Sequence, residues 1–289
     1  MSVPVIIDLP KGYRRIDWPG RLGRVAVVVG GPRQPRGAAL LVPGYTGSKE
    51  DYFALLEPLA ELGWAVAAVD LPGMAESDGP AEAEHYGLSP IAGDVVQMLR
   101  LWSQHTSGVH LVGHSVGGLI AREAALQAPG AVASLTLYDS GPAQVGQQAQ
   151  ADASLLAAAL ASHSPGQVQV LKESMDAAAG RPAPPPHIAA FLRRRWDATS
   201  VGHLLALGQI ARTAPDRLDA LAGLIAGKPL PAMVLYGERE EVWPLSDFPE
   251  LAARLGAREV VIPDAGHSPA VENPDAMVAA LDAFWHCAP

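Results

Sequence analysis

The chain has 289 residues, 49% of them hydrophobic, and a formal net charge of −9. That is enough for one large domain with an insertion, or two ordinary domains. The acidic balance argues against a nucleic-acid partner, since the only basic cluster is Arg193-Arg194-Arg195, which reads as a solvated helix face or a set of surface ion-pair donors. The single cysteine, Cys287, has no internal partner, as in a reducing compartment. The first residues carry no basic stretch followed by an apolar run, and no apolar stretch is long enough to cross a membrane. The expectation is a cytoplasmic protein with a small-molecule substrate and no membrane partner.

In chain order, short Val/Leu/Ala-rich runs at 24–29, 38–42, 65–69, 109–112, 134–138, 232–236 and 259–262 read as strands, and 13–18 adds an exposed first strand. Most lack alternation, as strands covered on both faces do. Helical patterns lie between them: 49–62 after Ser48 as N-cap, 91–102 after Pro90, and 274–285 after Asn273 with proline in its first turn. This alternation predicts an α/β fold, a mostly parallel sheet with helices on both faces.

One segment breaks the rhythm. Residues 143–226 hold no good strand, only helical patterns at 151–161, 168–179, 188–196 and 202–212, interrupted by Pro182-Ala183-Pro184-Pro185-Pro186. The expected division is a core of 1–142 and 227–289 with 143–226 as a helical cap, because an insertion at the carboxyl end of a strand falls over a sheet-edge site.

The strand at 109–112 runs into Gly113-His114-Ser115-Val116-Gly117, and a helical stretch follows. In that strand–turn–helix setting the pattern puts a serine on a sharp turn, with its hydroxyl projecting at the carboxyl edge of the sheet. A serine hydroxyl needs a base, and the base needs an acid that fixes its tautomer. His267, in Asp264-Ala265-Gly266-His267 after the last strand, is the best-placed histidine. The acid is expected after the preceding strand, in Gly237-Glu238-Arg239-Glu240-Glu241-Val242-Trp243. Glu240 is the first choice, with Glu241 and Asp139 (after 134–138) as rivals. The backbone N–H groups of Val116 and of Tyr45, in Pro43-Gly44-Tyr45-Thr46, are the expected donors to a developing oxyanion. Phe191, Trp196 and Trp243 are candidate pocket residues. The turn from Asp70 to Ser77 reads as structural, with Asp70 bonding backbone amides. No phosphate-binding glycine loop and no metal-ligand spacing is present, so no cofactor and no metal are expected.

With these pieces in order, the chain resembles the α/β-hydrolase superfamily over nearly its whole length. The resemblance rests on the Pro43-Gly44-Tyr45 loop, the turn at 70–77, the elbow at 113–117, Glu240 and Ala265-Gly266-His267. Two positions depart from the common pattern: Pro43 where many members have histidine, and Glu240 where aspartate is commoner. The resemblance implies an eight-stranded core with a helical cap after the sixth strand. It implies a serine nucleophile, unlike the aspartate of haloalkane dehalogenases and most epoxide hydrolases. The expected activity is hydrolysis of a carboxylic ester, thioester or lactone through an acyl-enzyme. A C–C bond hydrolase or biosynthetic cyclase on the same residues, and a non-catalytic binding protein on the same fold, are the alternatives.

Overall fold

The computed structural model describes residues 2–105, 108–227 and 230–288. Its eight strands are β1 (Tyr13–Gly20), β2 (Gly23–Gly30), β3 (Gly37–Val42), β4 (Trp64–Val69), β5 (Val109–His114), β6 (Val132–Tyr138), β7 (Ala232–Gly237) and β8 (Arg258–Ile262). They form one sheet in the order β1-β2-β4-β3-β5-β6-β7-β8. β2 pairs antiparallel with β1 and β4, and the remaining pairs are parallel. Every residue of β4, β5 and β7 is buried, as the unbroken apolar runs of the sequence require.

Helices cover both faces. Among the described residues, α1 is Phe53–Glu61, α2 Leu88–Trp102 and α3 Val116–Gln127. Leu55, Leu56 and Leu59 of α1 pack on one face with the C-terminal helix. Ile91, Val95 and Leu99 of α2 pack on the other with Leu119 and Ile120 of α3. The predicted helix at 49–62 is two pieces, a 3₁₀ turn at Lys49–Tyr52 and then α1. Between β6 and β7 run α4 (Gln147–Leu160), α5 (Pro165–Ala178), α6 (Pro186–Ala198), α7 (Val201–Thr213) and α8 (Leu218–Gly227), so this stretch is helical as read from the sequence. After β7 come α9 (Asp247–Leu255), α10 (Pro269–Glu272) and α11 (Pro274–Trp285), the last capped by the Asn273 side chain on the Ala276 amide.

The strand order reverses direction at β3 and β5, which lie side by side with Val42 opposite Gly113. A parallel sheet opens a crevice beyond its strand ends at such a point. The loops after β3, β5, β6, β7 and β8 all leave this edge, and they carry the residues singled out above. No helix of the described residues is long and apolar enough to cross a membrane.

Candidate active site

Ser115 sits between β5 and α3 with φ +55° and ψ −126°, a conformation that strains any residue with a Cβ. Its amide donates to the Tyr138 carbonyl (2.9 Å), and its own carbonyl accepts from Gly118 (2.8 Å). The flanking glycines are steric necessities. A Cβ on Gly113 would collide with the Gly117 carbonyl, and one on Gly117 with the Pro43 carbonyl. A Cβ on Gly44 would lie 3.0 Å from that of Ser115, so the loop after β3 lies directly against the serine.

His267 follows β8. Its Nε2 is 3.0 Å from Ser115 Oγ, and its Nδ1 is 2.6 Å from Glu240 Oε2. The carboxylate fixes the tautomer: Nδ1 carries the proton, and Nε2 accepts from the serine hydroxyl. Glu240 has no side-chain exposure. Its Oε1 accepts from the amides of Val242 (2.5 Å) and Trp243 (3.1 Å). Burial pushes the Glu240 carboxyl up, but hydrogen bonds from His267, Asp139 and the Trp243 amide outweigh it and hold it below the usual range. The loops bearing Glu240 and His267 are tied to each other, Glu238 N–H to the Ile262 carbonyl and Arg239 N–H to the Ala265 carbonyl.

His114, next to the serine, reaches well beyond its own turn. Burial pulls it down to about 3, so it is neutral, and its Nε2–H donates to the His267 carbonyl at 2.7 Å. Its ring stacks on Tyr138. The loop bearing His267 is therefore fixed from β5 as well as from β7. Ser268, the next residue, is 2.8 Å from Ser2 Oγ. No motif marks either contact, because both join positions distant in the chain.

The rival acids fall in different places. Glu241 is exposed. Asp139 is fully buried, and its Oδ1 accepts from the Gly237 amide at 2.9 Å. One ligand atom each from Asp139, Glu240 and His267 lies within 4.8 Å of the others. That is close enough for metal ligands, but the two nitrogens of His267 already face Glu240 and Ser115. The Tyr45 loop borders the site: Tyr45 packs with Trp196 and Leu204, and its hydroxyl lies against Gly208 of α7.

The three pocket candidates part company. Trp196 is buried and lines, with Tyr45, Met74, Arg195 and Leu204, a cavity of about 10 Å³, room for about one water. Trp243 is buried with its ring 6.1 Å from that of His267, its Nε1–H donating to the Ala143 carbonyl. Phe191 instead stacks under the Arg195 guanidinium at 5.6 Å. A larger hollow of about 440 Å³ lies on α5 and α6, away from Ser115.

One sequence reading needs correction and another is extended. Of the arginine triplet, Arg193 and Arg194 are exposed, and Arg193 pairs with Glu173, but Arg195 is buried. It donates to Asp51 Oδ1 (3.0 Å) and to the Ser2 carbonyl (3.0 Å), because its turn of α6 faces the loop after β3. Asp70 does bond amides, those of Lys49 (2.9 Å) and Glu76 (3.2 Å), but it also holds the buried Lys49 ammonium at 2.7 Å.

A family model described as the alpha/beta hydrolase fold matches residues 39–274. The chain belongs to that family. Within it, the chain is similar to a protein of Variovorax paradoxus named as a carbamate hydrolase, RutD, at 39% identity over 103 residues; the match covers 36% of this chain and 38% of that relative's length. Among solved structures, it resembles an esterase from Thermogutta terrifontis (22% identity, TM-score 0.74, 94% of this chain and 98% of that one). It also resembles the enol-lactonase of Burkholderia xenovorans (17% identity, TM-score 0.73, 94% and 100%). At these identities the two structures establish the alpha/beta hydrolase fold alone.

Proposed function

We propose that the protein is a serine hydrolase that cleaves a carboxylic ester, or a related thioester or lactone, of a small apolar substrate through an acyl-enzyme on Ser115. The observation that carries this reading is the line of hydrogen bonds from Ser115 Oγ through His267 to Glu240, at 3.0 and 2.6 Å. Ser115 attacks the acyl carbon as His267 Nε2 takes its proton. Glu240 holds the imidazole in the tautomer that can do so and stabilises the imidazolium that forms. The backbone N–H groups of Tyr45 and Val116 receive the oxyanion. His267 returns the proton to the leaving group, then activates the water that releases the acid.

Residues 143–226 act as a cap over this edge. The contacts of Trp196, Leu204 and Gly208 with the Tyr45 loop support that role. The likeness to the Variovorax protein adds carbamates to the substrates worth testing.

The test is hydrolysis of p-nitrophenyl esters of increasing acyl length, with a lactone and a carbamate in the panel, for the wild type and Ser115→Ala. The variant is expected to lose on the order of 10³–10⁶ in kcat, and the wild-type profile across acyl lengths sizes the acyl pocket. Equal turnover by both proteins sinks the proposal.

A further inference from the structure

Asp139 lies beside Glu240, with a carboxylate oxygen of each within 4.8 Å of the other, and the proposed chemistry gives it no role. It follows β6 with φ +42°, a left-handed conformation that is unusual for a residue with a Cβ. It is held there by its amide, which donates to the Leu235 carbonyl (2.8 Å), and by its Oδ1, which accepts the Gly237 N–H. The side chain is fully buried, and among the described residues no donor faces Oδ2.

An ionised Asp139 would therefore place a bare carboxylate oxygen in the interior, next to a second carboxylate whose own oxygens are taken by His267, Val242 and Trp243. Two carboxyl groups this close and this dry do not both ionise. A neutral Asp139 removes the conflict, because its O–H has an acceptor in Glu240. Burial and the neighbouring Glu240 push Asp139 well above the usual carboxylate range, in agreement with this geometry.

We propose that Asp139 is a positioning residue that remains a carboxylic acid and donates its proton to Glu240, so that the pair presents a single negative charge to His267. The proposal rests on the triad assignment above and deepens it. The bond orients Glu240 and draws part of its charge away from the imidazole. The other groups facing the pair are few. Glu272 of α10 adds negative charge and Tyr138 is a neutral phenol. His267 is faced by neutral His114, Ser115 and the Trp243 ring.

The experiment compares wild type with Asp139→Asn and Asp139→Ala in two measurements. The first is the infrared difference spectrum between wild type and Asp139→Asn at neutral pH, which reads the carboxyl proton with no substrate present. A protonated-carboxyl C=O band belonging to the wild type is expected, and its absence overturns the proposal.

The second is the rate at which a fluorophosphonate labels Ser115, as a function of pH. An asparagine can still donate to Glu240 and accept from Gly237, so Asp139→Asn is expected to label within about fivefold of wild type with an unmoved acidic limb. In Asp139→Ala the carboxylate of Glu240 loses its donor and binds the imidazolium more tightly, so the acidic limb moves to higher pH, by on the order of one unit. If Asp139 were instead the ionised acid partner, Asp139→Asn would lose about 10⁴-fold, which also overturns the proposal. Should the alanine variant not fold, the infrared band and the asparagine rate decide between the same two answers. A wild type that shows the band yet does not label at Ser115 refutes the hydrolase reading and leaves the shared proton standing.

Discussion

Helices α6 and α7 are tied to the core by buried polar groups, whereas α4 and α5 turn large apolar side chains to water. Arg195 of α6 reaches Asp51, and Thr199, just past its end, accepts from the Ala75 amide (3.1 Å). Ser200 N–H donates to the Gly73 carbonyl (2.7 Å), and His203 of α7 is 2.8 Å from the Pro72 carbonyl. By contrast, α4 buries only Ala153 and Leu160 of its fourteen residues, and Leu155, Val170, Leu171 and Met175 are exposed. The helices between β6 and β7 are therefore tied to the core unequally, although Leu160 of α4 and Val168 of α5 share an apolar cluster with Trp196 and Leu204. The pair nearest the Tyr45 loop behaves as an extension of the core, and any opening of the site is expected at α4 and α5.

The largest effect that bears on this contrast is at Arg195. Arg195→Ala leaves Asp51 buried without its cation and is expected to cost about 3–5 kcal/mol in urea unfolding. A cost below about 1 kcal/mol would break the distinction between the pairs.

A smaller effect appears at His203. Burial pulls it down to about 4, from about 6.5 in the unfolded chain. The native state keeps this ring neutral while the unfolded chain takes up a proton. Its contribution is therefore fully present above pH 6.5 and drains away as the pH falls toward 4. His203→Gln should flatten the stability–pH curve in that window, by up to about 1.4 kcal/mol per pH unit. Urea unfolding at pH 7 and pH 5 measures this, and curves parallel to wild type would remove His203 from the account.

The smallest effect is expected at Met175. Met175→Ser should change stability by less than about 0.5 kcal/mol, and hydrogen exchange should be faster through α4 and α5 than through α6 and α7. Equal protection across all four helices would make the covering layer a single unit.

The division between what the sequence reveals and what it hides follows the range of the forces involved. Strands such as β4 and β5 are legible because burial on both faces forces unbroken apolar runs. Ser115 and His267 are legible because a sharp turn needs Gly113 and Gly117, and because a base must follow a strand end. Glu240 stands out from Glu241 only through chain order, and the structure separates them by burial. Arg195–Asp51, Lys49–Asp70 and His114 on the His267 carbonyl were not legible. Each joins ordinary polar residues brought together by the fold, and a charged residue in a helix gives no local sign of which face is buried. The contact between Asp139 and Glu240 was half visible: both appear as acid candidates, but their being neighbours depends on β6 lying beside β7.

The order of the pieces along the chain also matters while the protein is being made. Ser115 precedes His267 by 152 positions, and Ser2 meets Ser268 across 266. Early strands can collapse as they leave the ribosome, since chains begin to fold from the amino-terminal side. A nascent chain that ends at α3 has the serine but neither Tyr138, whose carbonyl holds its turn, nor the histidine that faces its hydroxyl. On the proposed reading of the site, the hydroxyl is expected to stay inert until the last strand has been synthesised and docked, so that a truncated or stalled product would carry no reactive serine.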